Sequence, residues 1–203
     1  MWRSPSAPAD ARGALSNDKN QRAAQDESDI TGPAYGVQVE PADHAIGRSR
    51  GGLTTKSHAL VEGNGRAMVI LVGPGQGGDS PMLPVLLNEL RVARLGPGRP
   101  RTTPEAIRGD KAYSARAHRA MLRARGITAV IPERSDQIAN RARKGAAGGR
   151  PVAFDTEDYK QRNLIERFFN RIKHWRAIAS RYDKHAVVYR GGIVLAAILD
   201  WLK

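Results

Sequence analysis

Apolar residues alternate with polar ones through LTTKSHALVEG (53–63) and run almost unbroken through AMVILVGPG (67–75). Alternation at a period of two marks a strand with one covered face, and a short apolar run closed by glycines marks a buried one. With Gly63-Asn64-Gly65 between them, the two segments predict a β-hairpin. Asp79-Ser80-Pro81 offers an N-cap and an early proline, so MLPVLLNELRVARL (82–95) is expected to be helical, Pro84 costing little in the first turn. AIRGDKAY (106–113) reads as a short strand whose end delivers Asp110. Ser114 is placed to cap a helix over ARAHRAMLRARG (115–126), closed by Gly126, and ITAVIP (127–132) is a further buried strand. The polar, glycine-rich ERSDQIANRARKGAAGGRP (133–151) predicts a mobile loop. Asp155 then caps a long helix, and a last apolar helix covers about 186–202. Residues 1–38 lack apolar periodicity and read as a divergent, disordered segment, which leaves 39–203 as the folded unit. Strands interleaved with helices in this order predict a mixed α/β domain, helices against a sheet.

The long helix carries the most informative spacing. Tyr159, Arg162, Glu166 and Lys173 lie in YKQRNLIERFFNRIK, and on an ideal helix they fall within an arc of roughly 60°. Leu164, Ile165, Phe168, Ile172 and Trp175 gather on the other side. One face packs, while the other offers a carboxylate flanked by two cations and a phenol.

Charge sharpens this picture. The chain has 203 residues, a net charge of +13 and a sequence pI near 10.7. Residues 1–30 hold four Lys/Arg against five Asp/Glu, so the remaining residues carry +14. Such a field attracts polyanions, of which nucleic acid is the commonest. Three basic stretches suit backbone phosphates: Arg48 to Arg50 with Lys56 beyond, Arg99 with Arg101, and Arg141, Arg143 and Lys144. The absence of cysteine excludes disulfides, iron–sulfur clusters and thiolate zinc sites. No apolar run is long enough to span a membrane, and MWRSPSAPADARG lacks a signal-peptide core, so a cytoplasmic protein is expected. No membrane partner and no small-molecule substrate is called for.

Several strings, taken with the Tyr-x2-Arg-x3-Glu-x6-Lys pattern, resemble the DDE transposases of bacterial insertion sequences in type and order. They are DHAIGRSRGGLTTK (43–56), GPGQGGDSP (73–81), RLGPGRPRT (94–102), GDKAYSARAHRAMLRARGITAVIP (109–132) and ASRYDKHAVVYRGGIVLAAILDWL (179–202). The resemblance implies a ribonuclease H-like fold, DNA as substrate and partner, self-association on DNA, and Mg²⁺ (or Mn²⁺) as cofactor. It further implies cleavage and strand transfer at insertion-sequence ends. Two hard ions about 4 Å apart clamp the attacking and leaving oxygens in such chemistry, and hard ions want carboxylate oxygens.

By the same resemblance Asp110 matches the second acid of the family triad and Glu166 the third. Tyr159, Arg162 and Lys173 would support them, and Lys111 and Tyr113 would assist by contacting phosphate or by packing. Taken alone, Asp110 reads as a turn or capping residue and Glu166 as a solvated helix residue paired at i±4. The first acid has no counterpart: Asp18, Asp26 and Asp29 do not sit in apolar strands, and Asp43 reads as a turn residue. A shortened chain missing its first central strand, and unable to transpose DNA alone, is therefore expected. The alternative is a non-catalytic DNA-binding remnant that regulates a full-length transposase.

Overall fold

The computed structural model describes residues 43–203. The segment 1–38, together with Asp18, Asp26 and Asp29, lies outside the described residues. The expected hairpin is present. β2 (Gly52–Val61) runs antiparallel to β3 (Ala67–Pro74), from Thr55 opposite Pro74 to Val61 opposite Ala67. A short β1 (Gly47–Ser49) flanks only the first residues of β2, pairing with Gly52–Thr54. β4 (Ala106–Arg108) and β5 (Thr128–Val130) form a separate parallel pair. Among the described residues, β2 beyond Thr54 therefore has a strand on one side only, and β4 has only β5.

Alternation along β2 explains why the hairpin is covered on both faces. Ala59 and Ile70 turn towards α5 (Asn163–Lys173) and α7 (Ala186–Trp201), where Phe168, Ile172, Tyr189, Ile193 and Ala196 complete a core. Leu60 and Val69 turn the other way, onto Leu86 and Leu90 at α1 (Met82–Glu89). A third cluster joins Leu83 and Leu87 of α1 to Leu122 of α2 (Arg116–Ala124) and to Ile127 and Ile131 around β5. Gly126 closes α2 with φ +69, as its place after the helix requires.

The structure departs from the sequence expectations in three places. The helix predicted over 82–95 stops at Glu89, because Val92 leaves it to pair with Arg101 across the Gly/Pro-rich turn. The loop expected over 133–151 contains α3 (Ser135–Arg143), which buries no residue in the core. α3 is held by polar contacts instead: Arg141 pairs with Glu133, Arg134 with Asp136, and Gln137 Oε1 accepts the Arg134 N–H. Apolar periodicity carries no trace of such a helix. Finally, the long helix after Asp155 is split. Asp155 caps α4 (Thr156–Lys160) through the N–H groups of Glu157 and Asp158. The chain then tightens into i→i−3 hydrogen bonds from Arg162 into the first turn of α5, where Leu164 and Ile165 donate to Gln161 and Arg162. Trp175, expected on the packed face, is half exposed and starts the short α6 (Arg176–Ser180). The RYDK segment links α6 to α7 as a turn.

Candidate active site

Glu166 sits in the first turn of α5, where the helix dipole favours a carboxylate. Arg162, one turn earlier, pairs with it at 2.8 Å and lies over the Tyr159 ring at 5.6 Å. Phe154 packs against the same ring with centroids 5.1 Å apart. Despite the break between α4 and α5, Tyr159, Arg162 and Glu166 thus form one stacked column. Glu166 and Lys173 open onto a cavity of about 760 Å³, whose opposite wall is Thr54, Thr55 and Ser57 of β2.

Asp110 follows β4 directly. It caps a 3-10 turn (Lys111–Tyr113), its Oδ1 accepting the Ala112 N–H at 2.9 Å. It lines a second cavity of about 290 Å³ together with His58, Asp79, Tyr113 and Arg162. Ser57 and Phe169 border both cavities, so the cavity lined by Asp110 and Arg162 adjoins the one lined by Glu166 and Lys173, and the two make a trough beside β2. Arg108 of β4 donates to Asp158 of α4 at 2.9 Å, tying the strand that precedes Asp110 to the helix that precedes Arg162 and Glu166.

Electrostatics in the trough follow from burial and from its acids. Burial pushes the Tyr113 phenol up to about 12, and the carboxylates of Asp79 and Asp110 add to the shift. Burial holds the His58 imidazole below its usual value; Asp79 opposes this and Lys56 reinforces it. Asp79 was legible only as a helix start. Its backbone carbonyl does accept the Met82 N–H, but its carboxylate turns to Lys56 at 3.1 Å, inside the trough. Nothing in local spacing marks that second use, since the strand supplying Lys56 is remote in sequence.

The basic candidates divide into free and engaged groups. Arg48, Arg50, Arg99, Lys111 and Lys144 are exposed. Arg143 is also exposed and donates to Asn140. Lys56 donates to the Gly77 carbonyl at 2.8 Å as well as to Asp79, and Arg101 faces Glu105 at 3.9 Å. Arg141 is mostly buried against Glu133, whose carboxyl its hydrogen bond holds below the usual range. The charge of Arg141 is thus balanced within the protein.

Among the described residues no three His, Cys, Asp or Glu side chains cluster closely enough to enclose a metal ion. The acids that are present suit a hard divalent ion in kind. Asp110 and Glu166 are exposed carboxylates, each with one oxygen engaged by the protein.

Residues 23–201 match the profile of the family described as "Transposase DDE domain". The chain belongs to this DDE transposase family. It is also 32% identical over 155 residues to the "Putative transposase for insertion sequence element IS6501" of Brucella ovis, an alignment covering 74% of this chain and the relative's whole length. No solved structure matches the chain. A transposase-family member has DNA as its partner, and the family uses divalent metal ions. No helix among the described residues is long and apolar enough to cross a membrane.

Proposed function

We propose that this chain contributes two of the three acids of a DNA-cleaving transposase site, in a ribonuclease H-like arrangement spanning residues 39–203. The observation that carries the reading is the trough beside β2, where Asp110 and Glu166 reach adjoining cavities from distant parts of the chain. Asp110 and Glu166 would hold Mg²⁺ or Mn²⁺, which when bound activates the attacking oxygen and stabilises the leaving one. Arg162 grips a phosphate by two N–H groups while Glu166 orients it, and Tyr159 supports its guanidinium from below. Lys173, on the same wall as Glu166, adds a point charge to the backbone of the bound strand.

The unpaired sides of β2 and β4 support a place for a further strand carrying the first acid. His58, Leu60 and Ile107 border the cavity between those edges. No described residue supplies that acid, so cleavage by this chain alone is expected to be weak or absent. The test is nicking of supercoiled DNA carrying candidate insertion-sequence ends, with Mg²⁺ and with Mn²⁺. Any nicking should vanish in both Asp110→Ala and Glu166→Ala while DNA binding persists. Nicking that survives both substitutions removes these residues from the site.

The lack of a three-acid cluster among the described residues favours a second reading, a non-catalytic DNA binder that regulates a full-length transposase. It predicts salt-sensitive DNA binding, no nicking with either metal, and inhibition when mixed with an active relative.

A further inference from the structure

α7 is apolar over most of its surface, and the widest part of its exposed face carries no charge. Its two charged residues lie outside the outer stripe, Asp200 turned inward and Arg190 exposed at its flank. Arg190 donates to the Ile70 carbonyl at 2.7 Å, and Asp200, nearly buried, is held by Arg171 at 2.8 Å. The arc opposite Asp200, about 120° wide at 100° per residue, holds Val187, Val188, Leu195, Ile198 and Leu199, with Leu202 just beyond the helix. These side chains are 45 to 78% exposed. A surface helix ordinarily carries polar residues on the face opposite the core, and this arc carries none.

We infer that a second copy of this chain covers the outer face of α7, giving a two-fold dimer. Val188, Gly191, Leu195, Ile198 and Leu202 follow a 3-4-3-4 rhythm, the seam by which one helix packs against another, and a two-fold copy presents the same seam in return. A Cβ on Gly191 would meet nothing within 4 Å, so the middle of the stripe is open to an approaching helix. The stripe exposes roughly 600 Å² of apolar side chain per copy, so a symmetric pair covers about 1,200 Å², which reaches the range of specific interfaces. It bears no charge, so it offers nothing to a phosphate backbone, and two strongly basic copies meet there without setting like charges face to face. The inference names the surface for the self-association expected on DNA, but it is judged by mass and not by nicking.

The test uses the full 203-residue chain in sedimentation velocity without DNA. At about 50 μM the wild type is expected to sediment as a dimer, and Leu195→Asp with Ile198→Asp to weaken association at least tenfold, yielding monomer. Because both side chains point outward, the variant's circular dichroism should match that of wild-type monomer at low concentration. Since the chain has no cysteine, Leu195→Cys provides an independent readout. Leu195 is central in the stripe, so mild oxidation should yield a covalent dimer, whereas Glu105→Cys at a remote exposed position should not. A monomeric wild type, or a variant that remains dimeric, overturns the proposal, as does equal cross-linking at both cysteines.

Discussion

At the scale of single residues, the trough beside β2 is defined by how burial and charge act on neighbouring groups. Tyr113 packs beneath two carboxylates, so its phenolate is penalised by desolvation first and by repulsion second. Spectrophotometric titration should find one tyrosine ionising near pH 12. Asp110→Asn should lower that value without restoring the usual 10, because burial remains; no change would place Asp110 away from the phenol. His58 gives a prediction of opposite origin. Its folded value lies below the 6.5 of the free side chain, so below that pH the unfolded state takes up more protons. The stability it supports is present above about pH 6.5 and falls as the pH drops. Thermal melts between pH 7 and pH 5 should show this fall, and His58→Gln should flatten it.

At the scale of elements, the parts legible in the sequence were those whose apolar period reports packing on a core. The β2–β3 hairpin, α2 and α7 appear where the pattern places them, because their covered faces are continuous in sequence. α3 escaped because ion pairs and a side-chain cap hold it, and polar residues carry no period. The break between α4 and α5 escaped as well: it lies beside Asp158, which pairs with Arg108 of β4, a contact no local rule foresees. Two substitutions probe how the elements are joined. Phe168 is fully buried between α5, the hairpin and α7, so Phe168→Ala should cost about 3–5 kcal/mol in urea unfolding. Arg171 joins α5 to Asp200 of α7 and to the Gly65 carbonyl in the hairpin turn. Arg171→Met strands a nearly buried carboxylate but removes a partly exposed cation, so a loss of about 2 kcal/mol is expected. A loss within a few tenths would mean that Asp200 finds solvent instead.

At the scale of the whole molecule, net charge and its placement govern encounters with DNA. Arg48, Arg50, Arg99, Lys111 and Lys144 form no ion pair among the described residues, unlike Arg141. Replacing Arg48 and Arg50 by Ala should weaken binding on all sequences alike and make the dependence of log K on log salt shallower by about 2. Arg141→Ala should leave that slope unchanged and loosen α3, which hydrogen exchange would report. The sequence by itself determined the family, the basic character and the identity of the candidate acids, because those depend on which residues occur in which order. It also determined the strands and helices with a one-sided apolar period. Only the tertiary structure decided that Asp110 and Glu166 line adjoining cavities, that Asp79 shares the cavity of Asp110, and that no other described residue covers the outer stripe of α7. Each of these is a relation between segments far apart along the chain, fixed by which faces the core consumes and which it leaves to solvent.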